Sequence, residues 1–235
     1  MKERNLLAKY PSPKQKRIVS DKLRTIMHRI IASERGFEFF DGDRNYGYGG
    51  FNYDGRWKPI AKKIVDIYQL KEGSKFLQIS SEKGYLLHDL KSINPEINVF
   101  GTETSSYAIS QSINDIKENI VLSAPTQLPF PDNYFDFVIG LGVIYTLNIT
   151  DAITAIKEIT RVSKGNSFVT LASYNEPSDY FLFKQWTLLG TTILKKEEWI
   201  KILNHCDYQG DYFFTNSETL NLVRDKSKTT PNKFS

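Results

Sequence analysis

The sequence predicts an α/β domain: a mostly parallel sheet with helices on both faces and an antiparallel edge strand. Three observations predict it. The chain has 235 residues, which fits one sizeable α/β domain with room for an N-terminal extension. Apolar residues make up 40% and aromatics 13%, enough to fill a core. From Lys75 onward strand and helix patterns alternate, and such alternation argues for parallel strands joined by crossover helices.

Residues 1–19 are polar and basic with two prolines and read as an extended arm. Ser20 is placed to cap a helix through about Arg35. Leu23, Ile26, Met27, Ile30 and Ile31 fall at helical spacing, and Gly36 is a stop. The stretch FEFFDGDRNYGYGGFNYDGRW, residues 37–57, has neither helical nor strand period. It is a loop, too aromatic for a linker, and its Asp-Gly pairs suit turns. A second helix follows, with Trp57, Ile60, Ala61, Ile64, Val65 and Tyr68 on one face. Strand KFLQIS then precedes helix YLLHDLKSI, and strand NVFGTE precedes helix SYAISQSINDIK. A short strand near NIVLSA leads into the turn LPFPDN. Strand FDFVIGLG, helix TDAITAIKEITRVS and strand NSFVTLASY come next. KKEEWIKILNHC is an amphipathic helix. YQGDYFFTN gives a last strand, the one expected at the edge in antiparallel sense. The domain reading is an arm, helix and aromatic lid over 1–56, an α/β domain over 57–223, and a flexible tail over 224–235.

Composition excludes several classes. The formal charge of +4 is scattered Lys, much of it at the termini. It reads as solubility rather than a nucleic-acid footprint. Cys206 is the single cysteine, so no intrachain disulfide forms, and no Cys/His pattern has zinc spacing. His28, His88 and His205 lie far apart in sequence, so no metal is expected. The first residues lack the apolar core of a signal peptide, and no apolar run reaches membrane-spanning length, which points to the cytoplasm.

In open α/β sheets, ligands sit at the carboxyl ends of the strands. The strand ends here are Ser80-Ser81-Glu82-Lys83-Gly84, then Glu103, then Ser123-Ala124, then Gly140-Leu141-Gly142 followed by Tyr145. Glu103 lies about 20 residues beyond the first loop, where a carboxylate can accept both hydroxyls of a ribose. Equally, it can face a helix dipole. Tyr180, Phe181, Phe183 and Trp186 form an aromatic cluster that reads as core, or else as the far wall of a pocket.

Taken in order, strand one, LPFPDNYFDFVIG and AIKEITRVSKGNSFVT resemble the class I S-adenosylmethionine-dependent methyltransferases, the small-molecule, methyltransferase type 11-like kind. The resemblance covers roughly residues 57–215 and implies a Rossmann-like fold. FFDGDRNYGYGGFNYDGRW resembles the N-terminal segment of a bacterial subgroup associated with cell-surface glycan or other specialised biosynthesis.

The resemblance implies roles for single residues. Gln78 stands where the family has an acid, and Ser80 and Glu82 stand where it has glycines. Gly84 matches. Glu103 matches the ribose-binding acid, and Ser123 sits where a polar residue meets the adenine amine. Leu141 and Gly142 pass near the methyl group, and Tyr145 faces the acceptor. Tyr46 and Tyr48 would close the site over a cationic sulfonium. Arg44 and Arg56 would hold an anionic acceptor. Tyr145 and His88 are the weak catalytic candidates.

The departures weaken the cofactor site. Losing one charge-assisted bond at Gln78 costs ~1.5–3 kcal/mol, roughly ten- to a hundredfold in affinity. Weak or absent binding of S-adenosylmethionine is therefore expected. Two functions follow. One is methyl transfer to O or N of a small, anionic metabolite or cell-surface glycan precursor. The alternative is a catalytically inactive relative that serves as partner or regulatory subunit of an active methyltransferase, as a homodimer or heterodimer.

Overall fold

Along each central strand, apolar side chains alternate between two faces, as the pleat requires. Phe76, Val99, Phe137 and Phe168 enter one core with Ile60, Ile64, Leu86 and Leu90. Leu77, Val138, Val169 and Leu171 enter the other with Ile156, Ile159, Trp199 and Leu203. Burial on both sides is what a parallel sheet with helices on both faces demands. The structure is a computed structural model that describes residues 1–11, 16–20, 23–48 and 51–225.

The strands are β1 (Arg17–Val19), β2 (Lys75–Ile79), β3 (Asn98–Glu103), β4 (Ile120–Leu122), β5 (Phe137–Gly140), β6 (Ser167–Tyr174), β7 (Leu194–Lys195), β8 (Asp211–Thr215) and β9 (Leu222–Arg224). The helices are α1 (Ile26–Ser33), α2 (Phe37–Phe40), α3 (Lys58–Tyr68), α4 (Tyr85–Ile93), α5 (Ser106–Ser110), α6 (Ile149–Val162), α7 (Pro177–Trp186) and α8 (Lys196–His205). The main sheet has seven strands in the order β4-β3-β2-β5-β6-β7, with β8 also paired to β6. Strand order reverses between β2 and β5, and Ile79 lies opposite both Thr102 and Gly140. The carboxyl ends of β2, β3 and β5 therefore meet along one edge.

The expected antiparallel edge strand is corrected: β8 pairs with β6 in parallel, with Phe168 opposite Asp211 and Ala172 opposite Thr215. Helix α8 carries the chain back along the sheet before β8, so β8 runs the same way as β6. An antiparallel edge needs a hairpin. The strand that follows β8, β9, pairs instead with β1 in a separate two-stranded sheet.

The N-terminal arm is packed where it is described. Leu6 is fully buried, Glu3 bridges Tyr212, and Arg4 pairs with Asp211 at 2.7 Å. The first long helix starts later than Ser20. Thr25 caps α1, its amide donating to His28 Nδ1 at 3.1 Å. The helical period there is real, but Ile26, Met27 and Ile30 face solvent, 75, 60 and 50% exposed. The helix expected over SYAISQSINDIK is only α5. The aromatic cluster lies on α7, which carried no predicted element, and divides: Phe183 is core, while Phe181 is 64% exposed. Arg224 ends β9; the rest of the tail expectation, residues 226–235, lies outside the described residues, as do Gly49 and Gly50 of the aromatic loop.

Candidate active site

The loop after β2 has an alternating backbone. Ser80, Glu82 and Gly84 take φ of +52°, +54° and +77°. These are left-handed conformations that glycine adopts freely and other residues adopt at a cost. The three positions are those where the first loop was expected to be glycine-rich, so the glycine backbone persists with Cβ atoms added at two of them. The loop is pinned by donors from its own chain. Ser81 N–H donates to the Thr102 carbonyl at 2.8 Å, and Glu82 N–H donates to Glu103 Oε2 at 2.8 Å. Gly84 is needed for packing: a Cβ there would lie 2.0 Å from Ile116 Cδ1.

A cavity of about 500 Å³ opens at the strand ends. Its floor is Ser80, Glu82, Thr104, Pro125, Leu141 and Gly142. Its roof is α1 with Arg35, together with the segment from Lys184 to Thr191. A second cavity of about 790 Å³ shares Leu141 and Gly142 with the first. It continues past Tyr145 and Thr170 to Tyr48, Trp186 and four arginines, Arg17, Arg24, Arg44 and Arg56. Gly142, at φ +68°, marks the junction, and its N–H donates to Thr170 Oγ1 at 2.7 Å.

Glu103 is fully buried at the end of β3. Its carboxylate accepts from the amides of Glu82, Thr104 and Ser105, and from Arg35 Nη2 at 3.1 and 3.3 Å. Arg35 thus covers the acid that the sequence reading assigned to a ribose. Glu82 lines the cavity beside it. Burial pushes the Glu82 carboxyl up to about 7; nearby Arg35 opposes this and Glu103 adds to it. Lys83 does not fill the cavity. It is buried and donates to Asp41 Oδ1 at 2.5 Å, which ties the loop to the end of α2.

The other predicted residues divide. Gln78 is buried on β2, and its Oε1 has no hydrogen-bond partner among the described residues. Ser123 lines neither cavity and donates to the Gln127 carbonyl at 2.7 Å. Tyr46 packs edge-on against His28 and lines neither cavity. Tyr48 lines the second cavity, and its hydroxyl accepts from the amides of Leu188 and Leu189 at 2.7 and 3.2 Å. Tyr145 also lines the second cavity, its hydroxyl pushed far up by burial. Arg44 and Arg56 stand there too, Arg56 paired with Asp54 at 2.5 Å. His88 lies on the surface of α4, paired with Asp115 at 2.9 Å, and lines neither cavity. Sequence reasoning missed Arg17, Arg24, Arg35 and Thr104. None carries a local signal, because each becomes relevant only when segments distant in the chain converge.

Residues 77–171 match the family model described as a methyltransferase domain. The chain is 26% identical over 138 residues to a demethylmenaquinone methyltransferase of Geobacillus stearothermophilus, covering 55% of this chain and 56% of that protein. It is 33% identical over 162 residues to a ubiquinone/menaquinone biosynthesis C-methyltransferase of Coxiella burnetii, covering 60% of this chain and 61% of that protein. Among solved structures, the YcgJ protein from Bacillus subtilis shares the fold, with a TM-score of 0.51 at 16% identity over 62% of this chain and 66% of that one. The chain spans little more than half the length of the curated relatives it matches.

Proposed function

We propose that this chain, whose residues 77–171 match a methyltransferase-domain model, is a class I enzyme that transfers a methyl group from S-adenosylmethionine to a small acceptor. The observation that carries the reading is the pair of cavities that meet at Leu141 and Gly142, one at the switch in strand order and one beyond it. A cofactor and an acceptor bound in them would approach each other there.

The first cavity suits the cofactor on three counts. Its volume lies in the range of small-ligand sites. The loop keeps the left-handed positions that let backbone approach a ligand. Ser80, Glu82, Thr104 and Arg35 give it polar walls. Bound there, the cofactor supplies an electrophilic methyl group. Ser80 and Glu82 would hold its amino-acid end; Gln78, whose buried Oε1 has no partner among the described residues, lines neither cavity. At the ribose end, Thr104 and Arg35 present polar groups to the cavity, while Glu103 is engaged behind them.

In the second cavity Arg44 would orient the acceptor, which favours a small anionic metabolite or glycan precursor, while Arg56 is held by Asp54. Tyr145 is held protonated by burial, so it orients the acceptor as a donor and does not take a proton from it. The chemistry then rests on positioning and exclusion of water. The acceptor atom is read as O or N. The Coxiella relative is named a C-methyltransferase, so product analysis must distinguish carbon. No helix among the described residues is long and apolar enough to cross a membrane, and a cytoplasmic setting goes with this reading.

The second reading, a catalytically silent partner of an active methyltransferase, is favoured by one observation: Arg35 sits on Glu103. Calorimetric titration with S-adenosylmethionine and S-adenosylhomocysteine separates the two. The expected result is micromolar to sub-millimolar binding that Thr104→Val, which removes a polar group lining the first cavity, weakens severalfold, the worth of one neutral hydrogen bond. No binding up to millimolar ligand rejects the enzyme reading and favours the silent partner.

A further inference from the structure

We infer that the second cavity is a receptor for a phosphorylated acceptor, in particular one bearing a diphosphate, and that Arg17, Arg24 and Arg44 bind its phosphates. The inference deepens the reading of that cavity as the acceptor site, though the anion binding it asserts stands apart from methyl transfer.

Three segments distant in the chain deliver cations to one space. Arg17 comes from β1, Arg24 from the turn before α1, and Arg44 from the aromatic loop. Arg56 lines the same cavity but is already paired with Asp54. Among the described residues that line the cavity there is no Asp or Glu, and Arg17, Arg24 and Arg44 form no ion pair. Arg17 and Arg24 are half-buried, and such charge is normally compensated, because withdrawing it from water is costly; Arg44 is exposed at the rim. Here compensation from within the chain is partial. Arg17 and Arg24 lie over the same Trp186 ring, at 5.6 and 5.3 Å from its centroid, and Arg24 also lies 4.9 Å over Tyr48. Arg24 donates to the Trp186 carbonyl, and Arg44 donates to the Tyr48 carbonyl at 3.3 Å. Stacking fixes the guanidinium planes without neutralising them.

The like charges also act on one another. Burial holds both Arg17 and Arg24 below the usual arginine range, and neighbouring arginines add to the effect. A bound anion would relieve both. Three guanidiniums without an ion-pair partner among the described residues match a ligand with two or more negative charges, and their planar forks match phosphate oxygens two at a time. A single carboxylate would leave most of the charge uncompensated. The cavity is large enough for more than the anion, and Leu141 and Tyr145 line its end away from the arginines, where an organic group attached to the phosphates would lie.

The test is calorimetric titration of the full chain with inorganic pyrophosphate, methyl phosphate and citrate. Pyrophosphate is expected to bind at least tenfold more tightly than methyl phosphate or citrate. Arg17→Gln and Arg44→Gln are each expected to weaken pyrophosphate binding ten- to a hundredfold, the loss of one charge-assisted contact. Arg24→Lys keeps the charge and loses the fork, and is expected to weaken binding as well. Lys62→Gln, on the far helix α3, should change nothing. Thermal melts establish that each variant is folded. Arg17 makes no side-chain hydrogen bond among the described residues, so Arg17→Gln keeps the test decisive if Arg24→Lys unfolds. Equal pyrophosphate binding in wild type and the Arg17 variant overturns the inference, as does citrate binding as tight as pyrophosphate. Titration with S-adenosylhomocysteine is run on the same samples. If it fails while pyrophosphate binds through these arginines, the methyltransferase reading falls and the phosphate site stands.

Discussion

Position 80 holds a serine in a backbone conformation that glycine prefers, with φ at +52°. Removing its Cβ relieves a strain of ~1–2 kcal/mol. Glycine gives back ~0.5–1 kcal/mol through the entropy of the unfolded chain. Ser80→Gly is therefore expected to raise stability in urea by about 0.5–1 kcal/mol. A loss instead would mean that the Ser80 side chain holds a partner worth more than the strain. Glu82 makes a pH prediction. Its carboxyl titrates near 4.5 when unfolded and is pushed up to about 7 in the folded chain, chiefly by burial. Between those values the native state keeps a proton that the unfolded state has lost, so stability falls as pH rises through the window. The fall is on the order of 3 kcal/mol if the full shift is expressed, and less to the extent that solvent reaches the carboxylate. Glu82→Gln removes it. Urea unfolding at pH 4.5 and 7.5 reads the difference, and equal slopes in both proteins would show that Glu82 ionises freely.

Between elements, the cofactor loop and the lid segment are joined by side chains. Lys83 reaches Asp41 at the end of α2, and Tyr107 donates to the same carboxylate at 2.7 Å. Ser105 Oγ donates to the Arg35 carbonyl at 2.5 Å, and Arg35 reaches Glu103. The segment from Arg35 to Asp41 is thus tied to the strand ends by two ion pairs and by hydrogen bonds. Asp41→Asn leaves the Lys83 ammonium, only 6% exposed, without its counter-charge. Since Asp41 itself is partly exposed, the expected cost is about 2–3 kcal/mol, below that of a fully buried pair. Hydrogen exchange should then quicken over residues 37–48 while the central strands stay protected. Unchanged exchange there would show that aromatic packing alone holds the lid. Helix α1 teaches a related point. Its period was legible from Ile26, Met27 and Ile30, yet none of them is buried in the core, and Ile26 and Ile30 line the first cavity. Periodicity states that one face is apolar; it does not state what lies opposite that face.

Across the whole molecule, the parallel sheet closes with help from its own N-terminus. Glu3 bridges Tyr212 on β8, Arg4 holds Asp211, and Leu6 is buried in the core cluster of α3 and α4. Leu6→Ala is expected to cost about 2–4 kcal/mol, as for other fully buried leucines, with the loss read in cooperative urea unfolding. A cost below 1 kcal/mol would show that the first residues dock without supporting the domain. The alternation of β and α patterns, the two-sided burial of the strands and the strand-end positions of Ser80, Glu103 and Leu141 were all written in the sequence, because period and turn chemistry are local properties. The direction of β8 was not. It depends on the path between β6 and β8, where α8 carries the chain back along the sheet. Nor was the neutralisation of Glu103 by Arg35, or the gathering of Arg17 and Arg24 over Trp186 with Arg44 lining the same cavity. The sequence by itself determined the class of fold and the end of the sheet at which a ligand would sit. The charges that surround a ligand there were decided by the tertiary structure, because electrostatic partners are set by distance in space, and residues far apart in sequence met at one cavity.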